Sequence, residues 1–242
     1  MKIDNTCIIL TGCINPEKNI PYLTLTNSIV RREQYIQSIL FFLDKSRAKK
    51  IIFCDNSNAP IEDSVLKHAI HVGKDLEWLS FSGNNEMCAE RGKGYGEGEI
   101  IKYIFDNSRI LKSCTSFVKV TGRFKILNIN DMLLFLNNNN SYFDFYENYV
   151  DTRCYIANIN QFKCDLINQY KYVNDSKGYY LEHAYFDPIY SNSKKYKQLP
   201  MILNIVGQSG STGGVNRAHS FKGYLYRSFI YFLKAKKREL VK

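Results

Sequence analysis

Apolar runs alternate with helix-period patterns along most of this chain. Residues 7–12 and 50–55 are nearly continuous apolar runs of strand length, and 76–81 and 116–120 read the same way. Between the first two, residues 27–44 place Ile29, Tyr35, Ile36, Ile39, Leu40 and Leu43 on one broad helical face. Pro60 opens a helix running to about residue 71, consistent with proline at a first helical position. After a glycine-rich stretch, Ile100, Ile101, Ile104, Phe105 and Leu111 mark a helix core face, and 129–136 predicts a short helix. This alternation predicts βαβ units, and so an α/β fold with a mainly parallel central sheet flanked by helices. The second half is less regular. It predicts strands over 150–157 and 201–206 and helices over 160–172 and 179–190, the latter ending near Asp187-Pro188. A loop over 208–214 and an aromatic, basic amphipathic helix over 221–237 close the chain, and no internal repeat occurs.

At 242 residues and 45% hydrophobic content, the chain suits one folded domain over 1–219. Residues 220–242 form a basic C-terminal helix, either part of that domain or a docking element. The asparagine run at 137–140 is too short for a linker. Seven scattered cysteines without a CxxC pair, and an opening without a charged-then-apolar leader, predict free thiols in a reducing cytoplasm. His68 and His71 stand three apart with no Cys or carboxylate partner of matching spacing, so no zinc site is predicted. No apolar run is long enough for a membrane-spanning helix. The net charge of +10 is uneven: residues 217–242 hold eight Lys or Arg against one Glu, a net of +7. Such a tail suits a polyanion, either nucleic acid or anionic lipid.

In open parallel sheets, ligands bind outside the carboxyl ends of the strands. That rule gathers Thr11-Gly12, Asp55-Asn56-Ser57 and Thr121-Gly122-Arg123 on one edge. Singly, each reads as a turn; together with the stretch Gly92-Lys-Gly-Tyr-Gly-Glu-Gly98 they predict a nucleotide site. The stretch is neither a dinucleotide fingerprint nor a Walker A loop. Its glycines suit close backbone approach, and Lys93, Gly94, Lys119 and Arg123 suit an anion. The expected guest is a small phosphorylated molecule such as a nucleotide-sugar diphosphate. The competing reading is a surface loop.

Several elements taken together resemble a group of bacterial glycosyltransferases serving capsule, lipooligosaccharide and O-antigen biosynthesis. They are Arg31-x-x-x-Tyr35, Cys54-Asp-Asn-Ser57, Gly92-Lys-Gly-Tyr-Gly-Glu97, Lys119-Val-Thr-Gly-Arg123, Asp151-Thr-Arg153 and Leu181-Glu-His183. The resemblance runs from about residue 7 to 217. It implies a GT-A-like fold, a nucleotide-sugar donor and a glycan or lipid-linked glycan acceptor, with Asp55 touching the nucleoside. It also implies a D-x-D metal motif after the fourth strand, and here the chain departs: that place holds Thr121-Gly122-Arg123. A donor site without a cofactor follows, with Arg31, Lys93, Lys119 and Arg123 neutralising the diphosphate. Asp144 and Asp151 leave a divalent ion such as Mn or Mg open.

Inverting transfer needs a carboxylate to take the acceptor hydroxyl's proton. Glu182, among Tyr179, Tyr180, Tyr185 and Phe186, is the candidate; its competing reading is a helix-surface Glu. Asp151 is the reserve base, and His183 is placed to orient either acid. Arg153 is a structural ion-pair partner of Asp151 or a second phosphate ligand. A retaining reaction stays open. Residues 209–214 are a lid or a plain hairpin tip. The final helix, with Phe221, Tyr224, Leu225, Phe229, Phe232 and Leu233 along one side, suits an anionic membrane face or the core. The expected setting is therefore cytoplasmic and peripheral at the inner membrane, without nucleic acid as partner. A basic nucleic-acid-binding protein and another nucleotide-using transferase are the rivals.

Overall fold

A computed structural model describes residues 2–17, 23–136, 140–210 and 212–239. The first half follows the strand–helix alternation: β1 (Thr6–Gly12), α1 (Ser28–Lys45), β2 (Lys50–Asp55), α2 (Asp63–His71) and β3 (Asp75–Ser80). Then come α3 (Asn85–Arg91), α4 (Lys93–Asn107), α5 (Arg109–Lys112) and β4 (Ser116–Thr121). The second half is broken into shorter pieces: β5 (Lys125–Ile126), α6 (Ile129–Met132), β6 (Ser141–Phe145), β7 (Val150–Asn158) and α7 (Ile159–Asp165). It ends with α8 (Leu181–Ser191), β8 (Tyr196–Gln198), β9 (Ile205–Gln208), β10 (Val215–Asn216) and α9 (Phe221–Glu239).

The main sheet has strand order β3-β2-β1-β4-β7-β6-β8, in which β7 alone runs against its neighbours. A small antiparallel sheet, β10-β9-β5, sits beside it. Both faces of the main sheet are covered, which is why β1 reads as an unbroken apolar run. Ile8 and Leu10 pack with Phe42, Phe53 and Trp78 on one face. Cys7 and Ile9 pack with Ile101, Phe117 and Phe162 on the other. The mainly parallel α/β sheet expected from sequence is present.

Several boundaries differ. The helix expected over 160–172 stops at Asp165 and resumes as a 3₁₀ turn at Gln169–Tyr172. The helix α8 continues through Pro188 to Ser191. Strands β6 and β8 were not expected, and most of the asparagine run (137–139) lies outside the described residues. The glycine stretch is helix rather than loop. Gly92, with φ of 96°, separates α3 from α4, and Gly94, Gly96 and Gly98 lie inside α4. They permit close packing: an ideal Cβ on Gly98 would overlap Tyr170, and one on Gly96 would stand 2.9 Å from Cys88 Sγ.

Among its described side chains, α9 packs by one side. The Tyr224 hydroxyl accepts from Asn128 Nδ2 at 3.1 Å, and the Tyr231 hydroxyl donates towards Asp144 Oδ1 at 3.0 Å. Leu225, Tyr226, Phe229, Phe232 and Leu233 face outward and are exposed. Tyr224 therefore leaves the expected apolar stripe and Tyr226 joins it; the Phe221 side chain lies outside the description. Among the described residues no helix is long and apolar enough to cross a membrane.

Candidate active site

The strand order reverses between β1 and β4, since β2 and β3 lie on one side of β1 and β4 on the other. A crevice of about 270 Å³ opens at their carboxyl ends, where the switch-point rule puts it. Glycine keeps the two strand ends tight. A Cβ on Gly12 would stand 2.7 Å from the Phe53 ring, and one on Gly122 2.6 Å from the Thr11 carbonyl oxygen. The Gly122 N–H donates to that same carbonyl at 2.8 Å.

Of the residues singled out from sequence, Thr11, Gly12, Arg31, Asn56, Lys93, Thr121, Arg123, Arg153 and Glu182 line the crevice. Asp55, Ser57, Gly94, Lys119, Gly122, Asp151 and His183 do not. Arg123 is 7% exposed, and its Nε is buried without a hydrogen-bond partner. Its guanidinium stands 5.8 Å from the centre of the Tyr35 ring, and one terminal nitrogen reaches Gln34 Oε1 at 3.3 Å. Asn56 is 8% exposed and its Oδ1 is likewise buried and unpartnered. A buried donor or acceptor left unpaired is costly, and both residues border the crevice, where a bound ligand or an ordered water supplies the missing partner.

Three charged residues take other roles than expected. Asp55 is fully buried and clamps the loops after β1 and β2. It accepts from the Ile14 N–H at 2.6 Å, the Ser57 N–H and hydroxyl at 2.8 Å each, and the Ala59 N–H at 3.1 Å. It stays out of the crevice, and Ser57, whose hydroxyl also accepts from the Asn15 N–H at 2.8 Å, belongs to the same clamp. Arg31 lines the crevice and commits three of its five N–H donors to the fold, on the Cys13 carbonyl at 2.7 Å, the Leu25 carbonyl at 2.8 Å and the Tyr35 hydroxyl at 3.3 Å. Lys119, 1% exposed, is ion-paired with Glu97 and donates to the Thr152 carbonyl at 2.6 Å. Gly94 is taken up by packing, its N–H directed at Asp175 Oδ2 at 3.4 Å.

Glu97, quoted in a motif but given no role from sequence, lies at the centre of the crevice floor. Besides Lys119 it accepts from the hydroxyls of Thr11 at 3.4 Å and Thr121 at 3.3 Å. Glu182 sits in the first turn of α8 and its carboxylate accepts from the Thr152 hydroxyl at 2.8 Å. Burial pushes its pKa above the ordinary carboxylate range, more than the Thr152 hydrogen bond lowers it. Asp151 is bound to Arg153, Oδ2 to a terminal guanidinium nitrogen at 2.6 Å, and it faces a second cavity. The hydrogen bonds to Asp151 raise the Arg153 pKa further. His183 orients neither acid: its Nδ1 accepts from the Tyr180 N–H at 3.1 Å, capping α8, and its ring stacks on Tyr179 and Tyr180.

The donor set at the end of β4 does not fit a divalent ion. Thr121 offers a hydroxyl already bonded to Lys119 and Glu97, Arg123 offers a cation, and Glu97 is neutralised by Lys119. Among the described residues no three His, Cys, Asp or Glu side chains converge.

No protein-family model matches the chain, and no curated protein matches its sequence. Solved structures do match its architecture. Core-mannan synthase A from Aspergillus fumigatus, in its Mn/GDP form, superimposes with a TM-score of 0.52 over 94% of this chain and 82% of that one, at 8% identity. The fold is GT-A-like. The mannosyltransferase Ktr4p from S. cerevisiae is also similar, with a TM-score of 0.47 at 8% identity, covering 88% of this chain and 72% of its own. At these identities the likeness is one of fold, and the chemistry has to come from the crevice.

Proposed function

We propose that this protein is a glycosyltransferase that moves a sugar from a nucleoside-diphosphate donor to a growing bacterial surface glycan. One observation carries the reading: a buried guanidinium with an unpaired Nε, Arg123, shares a crevice at the β1–β4 switch point with the carboxylate of Glu182. Arg123 and Lys93 hold the diphosphate, and Asn56 Oδ1 takes a hydrogen bond from the nucleoside. Arg153 serves as a third cation once its pairing with Asp151 is shared. Glu182 removes the acceptor hydroxyl's proton as the oxygen attacks the anomeric carbon. The anomeric C–O bond to the diphosphate breaks, and its electron pair leaves on the phosphate oxygen, where the cations stabilise it. Attack from the face opposite the leaving group inverts the anomeric centre. Cationic side chains replace the divalent ion, because the residues after β4 fit an anion and not a metal.

The β9–β10 hairpin tip supplies Ser209 and Gly210 to the crevice wall, and the Gly210 carbonyl accepts from the Thr24 N–H at 2.9 Å. It acts as a lid over the donor. The outward stripe of α9, beside a tail of net charge +7, docks the enzyme on an anionic membrane face. The test is a donor screen across uridine, cytidine and guanosine sugar nucleotides, read as nucleotide release with and without chelator. Release that survives excess EDTA is expected. No release from any donor refutes the enzyme, and loss restored by manganese refutes the metal-free site.

A further inference from the structure

A second cavity, of about 670 Å³, lies behind the crevice between the β6–β7 end, the β9–β10 hairpin and α9. Arg153 belongs to the walls of both. Along β7 the side chains alternate: Thr152 turns to the crevice, where it holds Glu182, while Asp151 and Arg153 leave the strand on the second cavity's side, and the longer Arg153 side chain also borders the crevice. Anything seated in the second cavity therefore abuts the wall that carries the base.

The floor of this cavity is a closed polar network. Asp144 accepts from Gln198 Nε2 at 2.8 Å and from the hydroxyls of Tyr231 at 3.0 Å and Tyr146 at 3.3 Å. Asp151 is cancelled by Arg153. What is left over is positive. Arg217 and Arg227 line the cavity, and neither has a carboxylate partner among the described residues. Each presents a planar fork of donors that matches an oxyanion in two-point fashion.

We propose that the second cavity seats the acceptor, and that the acceptor carries an oxyanion, a phosphate or carboxylate, gripped by Arg217 and Arg227. Only the word acceptor rests on the transferase reading; the anion site stands on its own residues. The direct test is calorimetry on the full chain with three probes: glucose 1-phosphate, glucuronate and neutral methyl glucoside. At least one charged probe is expected to bind ten times or more tightly than methyl glucoside, and the tighter of the two names phosphate or carboxylate. The double variant Arg217→Ala/Arg227→Ala, checked for an unchanged melting temperature, is expected to erase that preference. Arg123→Ala is expected to keep it. Equal binding of all three probes overturns the proposal, as does a preference lost in Arg123→Ala and kept in the double variant. If no sugar nucleotide is turned over but the Arg217/Arg227-dependent preference remains, the transferase reading falls and the anion site stands.

Discussion

Lys119 on β4 and Glu97 on α4 form an ion pair beneath the crevice floor, tying the helix to the two strand ends. The ammonium is almost completely buried, and it also meets the Thr121 hydroxyl at 3.0 Å and the Thr152 carbonyl at 2.6 Å. Breaking such a pair leaves one charge buried alone, which costs roughly 3–5 kcal/mol. Glu97→Gln, which strands the buried ammonium, is expected to destabilise the protein by about that much, and Lys119→Met by less, because Glu97 is 24% exposed at the crevice. The double substitution is expected to lose much less than the sum, because it removes both charges together. Urea denaturation of the four proteins measures the coupling, and strict additivity would show that the pair does not hold the floor.

Gly98 gives a second, purely steric prediction. Its missing Cβ is the space that Tyr170 fills, so Gly98→Ala forces α4 away from the 3₁₀ turn at Gln169–Tyr172. Overpacking of this kind costs about 1–3 kcal/mol, more than offsetting the gain in helix propensity that alanine brings to an ordinary helix interior. A melting temperature equal to or above that of the wild type would mean that Tyr170 yields freely. At Gly73, where no atom lies within 4 Å, alanine meets no such neighbour, though the φ of 68° still disfavours it.

What the sequence made legible follows from how local each signal is. The strands β1, β2 and β4 showed because both their faces are buried, and their polar ends fell on one edge as the strand-end rule predicts. That rule put Arg123, Thr11 and Thr121 in one crevice. Charge, however, shows in a sequence without its partner. Lys119 reads as a phosphate ligand until Glu97, 22 residues earlier, is seen to hold it. Arg31 and Asp55 are tied largely to backbone groups, whose positions no side-chain pattern reveals. The glycines misled for a related reason: Gly94 and Gly98 stand one helical turn apart on a face that packs, a spacing the alternate run obscured. Short strands such as β8, with three residues, carry too few alternations to be seen.

Arg123 and Asp55 separate ligand binding from scaffolding. Arg123→Ala removes a charge-assisted hydrogen bond to the donor, worth about 1.5–3 kcal/mol, so nucleoside-diphosphate affinity is expected to fall roughly tenfold to a hundredfold. Folding stability is expected to fall as well, because the side chain is buried against Tyr35 and hydrogen-bonded to Gln34, so affinity is compared under conditions where both proteins are folded. Asp55→Asn is expected to act on the scaffold. It weakens the clamp on the Ile14, Ser57 and Ala59 N–H groups and lowers stability by about 1–3 kcal/mol, without changing which nucleobase is preferred. A changed base preference at unchanged stability would return Asp55 to the nucleoside.

Glu182 makes the sharpest prediction, because catalysis and stability pull in opposite directions. As a base it must be ionised, and burial raises its pKa, so activity is expected to climb with pH through a midpoint above the ordinary carboxylate value. The folded pKa exceeds the unfolded one. The stability linked to this group is therefore fully present below the unfolded pKa and lost as pH rises through the folded pKa. Glu182→Gln should cut the turnover rate by about 10²- to 10⁴-fold and leave nucleotide affinity near wild type. At pH 8 the variant should melt at a higher temperature than the wild type, and the difference should shrink towards pH 4, where both side chains are neutral. Paired rate and melting measurements across that range decide it. A variant that keeps its rate, or a melting difference that grows as the pH falls, would remove Glu182 from the reaction.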